Sequence, residues 1–171
     1  MEVFRVLNIE ELESIEAYIV PLSELLVKVV DDGASIGFLP PMKLPDAKHY
    51  WQTVLNPNVI LYVAKIDNEI VGTIQLHLCT KQNGLHRAEI AKLMTSPNAR
   101  RKGVARFLMN TAEERAIKEG RNLLVLDTRE GDPSNLLYQS LGYIQAGKVP
   151  NFALSGEGKL ETTVIYYNIL H

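Results

Sequence analysis

The segment SPNARRKGVARFLMN, residues 96–110, constrains the fold of this chain more than any other stretch. The β-rich run AEIAKLMT precedes it, and an amphipathic helix over Gly103–Glu119, ended by Gly120, is predicted to follow. Unpaired main-chain N–H groups and the positive end of the dipole meet where that helix begins, and Gly103 lets a ligand approach the main chain closely. Four cations cluster there: Arg100, Arg101, Lys102 and Arg106. The segment therefore predicts a strand, a turn that binds an anion such as pyrophosphate, and a helix. A solvated basic surface is the alternative.

Composition limits what kind of protein can carry this turn. The 171 residues are 46% hydrophobic and 22% charged, which fits one globular domain over residues 1–171. A net charge of −2 gives no general attraction to nucleic acid or anionic lipid, so the anion site must be local. The single Cys79 excludes an internal disulfide and is interpreted as a buried, inert thiol. The four histidines have no metal-ligand spacing, so no metal site is predicted.

No stretch reaches the roughly 20 apolar residues of a membrane span, and the first residues do not resemble a secretory leader. We therefore expect a cytoplasmic protein.

Hydrophobic periodicity predicts the element order β, α, α, three strands, α, β, α, β, β, with helices packed on a mixed sheet. A strand at Phe4–Leu7 and a helix at Ile9–Val30 are expected to precede a glycine- and proline-rich loop at 33–45. The other predicted elements are a helix at Asp46–Leu55, a hairpin at 58–79, strands at 88–95, 122–128, 142–148 and 160–170, and helices at Gly103–Glu119 and Asn135–Leu141. On the helix that begins at Gly103, one apolar face is predicted from Val104, Phe107, Leu108, Ala112 and Ile117.

Two common phosphate motifs, GxxxxGK[ST] and GxGxxG, do not fit this turn. Arg100-x-x-Gly103-x-Ala105 resembles the R/Q-x-x-G-x-G/A signature of the GNAT N-acetyltransferases, although many members have glycine where Ala105 stands. LDT at 126–128 and NLLYQSLGY at 135–143 are similar to the second coenzyme A segment of that family. NGLHRAEIAKLMTSPNARRKG and GASIGF resemble the tabtoxin-resistance type of these enzymes.

The resemblance implies an α/β (α+β) fold: a mixed, mostly antiparallel sheet of about seven strands with four helices, splayed between the fourth and fifth strands. Acetyl-CoA is expected in the gap, with its pantetheine arm paired to main-chain groups of Leu93 and Thr95. An N–H near Leu93 is expected to polarise the thioester carbonyl. The residues implied to bind the cofactor are Leu93, Met94, Thr95, Arg100, Arg101, Lys102, Gly103, Val104, Ala105, Arg106, Asn135 and Tyr138.

Acetylation of an amine requires a proton acceptor, because an alkyl amine is mostly protonated at neutral pH. Glu89 and Asp127 are the candidate bases, and the resemblance places catalytic acids at both positions. A salt bridge to Arg87 or a hydrogen-bonded turn would explain the two carboxylates equally simply. Tyr138 is the candidate acid for the departing thiol, or a tyrosine packed in the core. Asn135 binds the cofactor or only caps its helix.

We predict acetyl-CoA-dependent N-acetylation of a small amine, such as a tabtoxin-like toxin or an antibiotic, by direct attack. The expected acceptor contacts are Ser35, Phe38, His86, Glu89 and Asp127. No nucleic-acid or membrane partner is expected, and the chain is expected to be a monomer or homodimer. The alternatives are an enzyme that acetylates a protein N-terminus or lysine, a non-catalytic acyl-CoA sensor, and a phosphate-binding module of another fold.

Overall fold

The computed structural model describes residues 5–171, which contain seven strands and four α-helices. The strands are β1 (Leu7–Glu11), β2 (Val59–Ile66), β3 (Glu69–Leu78), β4 (Arg87–Thr95), β5 (Leu123–Arg129), β6 (Ile144–Leu154) and β7 (Leu160–Ile169). The helices are α1 (Ile19–Asp31), α2 (Leu44–Gln52), α3 (Val104–Lys118) and α4 (Ser134–Ser140). This order of elements confirms the prediction from periodicity.

One sheet contains all seven strands, in the order β1-β2-β3-β4-β5-β7-β6. Every neighbouring pair is antiparallel except β4 and β5, which are parallel. The parallel pair joins only Arg87–Glu89 to Leu123–Val125, although both strands continue beyond that point. The sheet therefore opens between β4 and β5, as the resemblance implied.

Helices cover both faces of the sheet. On one face, α1 and α2 pack with Leu61 and Val63 of β2, around the fully buried Trp51. On the other, α3 and α4 pack with Ile74 and Leu76 of β3. We refer to these as the α1/α2 face and the α3/α4 face. Because side chains alternate along a strand, each position of the sheet belongs to one of the two cores.

Gly72 of β3 sets how closely α3 approaches the sheet. A Cβ at this position would lie 2.8 Å from the carbonyl oxygen of Met94 and 2.9 Å from Cγ1 of Val104. Both contacts are shorter than a carbon side chain tolerates, so any residue larger than glycine would push the first turn of α3 outwards. The close packing of α3 against β3 therefore depends on this glycine.

The N-terminal prediction was wrong. Phe4 lies outside the described residues, the first strand runs from Leu7 to Glu11, and α1 begins at Ile19 rather than Ile9. A helix from Ile9 to Val30 would place Pro21 in its interior, where proline has no N–H to donate and clashes with the preceding turn. The structure places Pro21 in the first turn of α1, where that N–H is not needed.

Smaller differences concern burial and length. Phe107 and Ile117 of α3 are about half exposed, at 51% and 49%, and Met109 and Ala116 occupy the buried face instead. The strand predicted to end at residue 148 continues to Leu154. Cys79 is partly exposed rather than buried. Of the helices within residues 5–171, none combines the length and the apolar character needed to cross a membrane.

Candidate active site

A cleft of about 940 Å³ opens where β4 and β5 separate. Its walls come from the second halves of these strands, the start of α3, α4, and the loop that follows α1. Ligands of open α/β sheets bind at such a place, beyond the carboxyl ends of parallel strands that part from each other. The cleft is thus the natural position for a binding site in this fold.

The start of α3 forms one end of the cleft. Gly103 precedes the helix with a φ of +77°, and no side chain caps the first turn. A Cβ on Gly103 would meet no atom within 4 Å, so the space in front of these main-chain N–H groups is open. Uncapped N–H groups at a helix start, facing open space in a cleft, favour an anionic ligand.

The four predicted cations around Gly103 differ in their surroundings. Arg100 lines the cleft but forms an ion pair with Asp32, and Arg106 donates a hydrogen bond of 2.7 Å to the Ser140 hydroxyl. Lys102 does not line the cleft, and its Nζ donates to the carbonyl of Asn98. Within residues 5–171, Arg101 has no ion pair or side-chain hydrogen bond, and it lines the cleft. Arg101 is therefore the cation most available to a ligand.

The exposed edge of β4 forms the floor of the cleft. Beyond Glu89, β4 has no partner on its β5 side, so the main-chain groups along that edge are free to pair with an extended ligand. Leu93, Met94 and Thr95 all line the cleft. Met94 is only 3% exposed and packs into the core of the α1/α2 face, so its side chain forms part of the cleft wall and offers a ligand little contact area.

Two carboxylates meet at the other end of the cleft. Glu89 is the last β4 residue paired with β5, and Asp127 lies on β5 just past that pairing. The Thr163 hydroxyl of β7 donates a hydrogen bond of 2.8 Å to Asp127. Glu89 is exposed to the open cleft, but partial desolvation between the cleft walls still raises its pKa above the usual value, the negative charge of Asp127 raises it further, and Lys92 opposes both. A carboxylate with a raised pKa is suited to accept a proton near neutral pH.

Lys92 is a residue that sequence reasoning missed. The register between β3 and β4 shifts between Thr73 and Gln75, where β4 contains one extra residue, and Lys92 has a φ of +51°. This bulge interrupts the alternation, so Lys92 reaches Phe38 on the α1/α2 face. Burial lowers the pKa of Lys92, whereas Asp127 and Glu89 raise it. A break in the alternation of AEIAKLMT was the available signal.

Tyr138 lies on α4 and lines the cleft, although only 5% of its surface is exposed. Its ring packs near Tyr143 and Tyr166, with centroids 5.9 and 5.8 Å away. Burial raises the pKa of Tyr138, and the charges of Asp127 and Asp132 add to this effect. The hydroxyl therefore stays protonated and can act as a donor.

Other predicted site residues lie away from the cleft wall. Asn135 uses its amide to hold the carbonyls of Arg129 and Asp132, both at 2.9 Å, and accepts a hydrogen bond from Tyr166. It therefore supports the loop before α4 and does not line the cleft. His86 precedes β4, at the end where the strands are still paired, and its carbonyl accepts the N–H groups of Asn122 and Leu123.

The loop after α1 covers the end of the cleft where Glu89, Lys92 and Asp127 lie, which we call the acceptor end. Ser35 lines the cleft, whereas Phe38 lies behind Lys92, 5.8 Å from its Nζ, and packs edge-on against Tyr50. The side-chain amide of Gln75 donates a hydrogen bond of 2.8 Å to the Tyr50 hydroxyl, and its oxygen lies 2.8 Å from Nε2 of His77. Burial lowers the pKa of His77, and the charge of Lys92 lowers it further, which favours a neutral imidazole.

Residues 22–143 match the Acetyltransferase (GNAT) family. The chain belongs to this family. The match includes the start of α3, β5 and α4, and it confirms the family predicted from the motifs around Gly103 and Tyr138. GNAT enzymes use acetyl-CoA, which agrees with the predicted cofactor.

Individual relatives of this GNAT chain agree with that assignment. An uncharacterized N-acetyltransferase encoded in the hisH-hisA intergenic region of Azospirillum brasilense is 35% identical over 104 residues, which span 59% of this chain and 62% of that relative. A structure from Salmonella typhimurium that is provisionally described as an acetyltransferase, solved with its cofactor acetyl-CoA, has a TM-score of 0.79 at 14% identity over 96% of this chain and 94% of its own. A structure provisionally described as a phosphinothricin N-acetyltransferase has a TM-score of 0.82 at 19% identity, over 97% and 99% of the two chains. At these identities the two structures establish the shared fold.

Proposed function

We propose that this protein transfers an acetyl group from acetyl-CoA to the primary amine of a small molecule, by direct attack of the amine. One observation carries the proposal: a single cleft has the uncapped start of α3 at one end and Glu89, Asp127 and Tyr138 at the other. An anion-binding end fixes the cofactor, and the proton-transfer groups lie where the acyl group and the amine would meet.

The chain has groups that suit acetyl-CoA along the whole cleft. The N–H groups around Gly103 and the side chain of Arg101 would hold the pyrophosphate. The free edge of β4 at Leu93 and Thr95 would pair with the amides of the pantetheine arm. When bound, acetyl-CoA supplies the acetyl group as an activated thioester. An N–H near Leu93 would polarise the carbonyl of that thioester.

Glu89 and Asp127 would remove the proton from the acceptor ammonium. Their negative charges attract the cationic amine, and the raised pKa of Glu89 lets it take a proton directly or through one water. The neutral nitrogen would then form the new N–C bond, the electron pair of the breaking C–S bond would leave on sulfur, and the second proton of the nitrogen would pass to the thiolate or to water. The Tyr138 hydroxyl would donate to the departing sulfur. Because the pKa of Tyr138 is raised well above the roughly 8.5 of a thiol, the hydrogen bond itself is its main contribution.

The roof of the cleft supports a small acceptor. Arg100 pairs with Asp32 and Arg129 donates to the carbonyl of Gly33, which ties the loop after α1 to both sides of the opening. Pro40 of the same loop lies against Gly156, where an added Cβ would be only 2.7 Å from its Cγ. A roof held at several points leaves little room for an extended peptide. The phosphinothricin N-acetyltransferase description of one structural relative is consistent with an amine of this size.

A protein acceptor is the second candidate. Ribosomal-protein-alanine N-acetyltransferases from Brucella melitensis and Escherichia coli share the fold, each at 17% identity. The fold alone therefore does not select the acceptor, and the argument for a small amine rests on the roof.

The test is thiol release from acetyl-CoA in the presence of a panel of amines, including tabtoxin-like amino acids and aminoglycosides, and of peptides with free N-termini. Turnover with small amines and none with peptides is expected. Turnover with peptides alone would favour the second candidate. Tight binding of coenzyme A without turnover on any acceptor would favour a sensor. Binding of free phosphate with no preference for coenzyme A would reject the family function.

A further inference from the structure

Two cations line the cleft near Glu89 and Asp127 among the residues that the structure describes, Lys92 and Arg129, and Arg129 is already paired with Asp132. The position of Lys92 depends on the β4 bulge, since regular alternation from Ile90 would turn residue 92 towards the α3/α4 face. The extra residue instead places Lys92 on the α1/α2 face, where Phe38 lies. The main chain is thus distorted in a way that brings an ammonium into the cleft.

The ammonium of Lys92 is partly desolvated, and the carboxylates of Asp127 and Glu89 influence it without forming an ion pair with it. Within residues 5–171 it takes part in no ion pair. Its Nζ lies 5.8 Å from the ring centroid of Phe38, and a Cβ on Gly37 would be 3.3 Å from it. Even a partly buried charge loses some of its hydration, and a cation–π contact at this distance offsets only part of that cost. The charges of Asp127 and Glu89 act on Lys92 from beyond ion-pair distance, so its Nζ keeps room for an anion in direct contact.

The acceptor end therefore presents both signs of charge. Glu89 and Asp127 suit an ammonium, and Lys92 suits an oxyanion beneath the roof formed by residues 33–38. The other titratable group nearby, His77, contributes no positive charge in its neutral form. A molecule with an amine at one end and a carboxylate at the other matches this pattern, whereas a simple polyamine leaves Lys92 unpaired and adds like charge beside it.

We propose that Lys92 binds an anionic group of the acceptor, so that the substrates are amino acids and related amines that carry an oxyanion. This inference rests on the proposed function and names its substrate class. Lys92 would determine which acceptors bind, because it contacts the acceptor, while Glu89 and Asp127 would accept the proton of the amine. The alternative is that Lys92 only offsets the negative charge of the two carboxylates. Replacing it would then change the kcat/KM of every acceptor by the same factor.

Matched acceptors separate these roles. The kcat/KM values for methionine and phenylalanine are compared with those for methioninamide and phenylalaninamide. β-Alanine, 2-aminoethylphosphonate and ethanolamine then compare a carboxylate, a phosphonate and a neutral group. The α-amine of an amino acid amide is less basic than that of the corresponding acid, so a larger fraction of the amide is in the neutral, reactive form. A preference for the acid is therefore observed only if it exceeds this advantage of the amide. The same pairs are titrated by calorimetry into protein loaded with coenzyme A, which gives a readout independent of turnover.

In the wild type we expect the anionic acceptors to be favoured by about tenfold or more in both measurements. Because Lys92 lowers the pKa of Glu89, Lys92→Met should change kcat/KM for all acceptors by a common factor, and in addition it should remove the preference for acids over amides. The readout is therefore the ratio of the acid value to the amide value, and Lys92→Gln provides a second variant if the first is unstable. Lys92→Arg should keep part of the preference. Lys81→Met is the matched control, because Lys81 is an exposed lysine outside the cleft wall, and it should change nothing.

Equal binding of acids and amides by the wild type would overturn the inference. An equal loss for both in Lys92→Met would also overturn it, in favour of simple charge balance. If acids bind preferentially but no amine is acetylated, the proposed function fails while the anion subsite stands. If amines are acetylated without a preference for anionic groups, the proposed function stands and this inference fails.

Discussion

The Thr163 hydroxyl donates a hydrogen bond of 2.8 Å to the carboxylate of Asp127. Thr163 is buried on β7, and its position diagonal to Asp127 on the same side of the sheet follows from the antiparallel register of β5 and β7. The bond holds Asp127 at the point where β5 leaves β4. Through Asp127, a residue on β7 thus affects the charge beside Glu89.

The pH dependence of turnover should report this pair of carboxylates. The base must be ionised to work, so kcat/KM falls as pH drops through its pKa. Burial and then the charge of Asp127 raise the pKa of Glu89, so Asp127→Asn removes one upward contribution and should move the acidic limb of the profile to lower pH. Rate profiles against pH, measured with one good acceptor, check the shift.

Asp132→Asn is the matched control for that shift, since Asp132 also lines the cleft but is paired with Arg129. The acidic limb of the pH profile of Asp132→Asn should coincide with that of the wild type. Glu89→Gln should abolish the limb if Glu89 is the base. Loss of the limb in Asp127→Asn, together with its survival in Glu89→Gln, would instead identify Asp127 as the base.

Tyr138→Phe should lower kcat by about a hundredfold, because it removes the donor to the departing sulfur. Affinity for coenzyme A should be nearly unchanged, since the ring remains packed between Tyr143 and Tyr166. The rate of thiol release measures kcat, and calorimetry measures the affinity for coenzyme A. Tyr143→Phe is the control, because that hydroxyl is buried outside the cleft wall. Equal turnover in wild type and Tyr138→Phe would remove Tyr138 from the mechanism.

Gly103→Val should weaken coenzyme A binding by at least about tenfold. The new side chain would meet no protein atom within 4 Å, so its clash would be with the ligand held at the start of α3. Gly120→Val at the other end of α3 has nearly the same backbone, with φ of +71° against +77°, and equally open space. Both variants should lose roughly 1–2 kcal/mol of stability through backbone strain, but only Gly103→Val should lose affinity. Similar affinities in calorimetry would contradict close approach of the cofactor.

Gly72→Ala should destabilise the protein by about 1–3 kcal/mol, because the added Cβ would press on the Met94 carbonyl and on Val104. For a chain of this size each kcal/mol lowers Tm by about 2–4 °C. Gly147→Ala on β6 is the control, since a Cβ there would meet no atom within 4 Å. Thermal unfolding of the two variants side by side checks the difference, and equal Tm values would show that α3 can move outwards freely.

Local sequence patterns predicted an element correctly where one kind of interaction determines that element. Alternation of apolar residues predicted β2 and β3, and the glycine before and after α3 fixed the limits of that helix within one residue. At the N-terminus the periodicity was ambiguous, and the pairing of β1 with β2 prevailed over a helical pattern that Pro21 could not have continued. Burial was harder to predict, as Phe107 shows, because a long helix presents several apolar stripes and packing selects one.

The sequence by itself determined the order of the elements, the position of the turn at Gly103 that we propose binds an anion, and the choice of candidate bases, because each depends on residues close together in the chain. Only the tertiary structure decided which cations remain available, that Asn135 supports a loop, and that Lys92 faces the acceptor end beside Glu89 and Asp127. Those outcomes depend on partners from distant strands and on a bulge whose register is set by pairing with β3. Such pairing is a property of the assembled sheet.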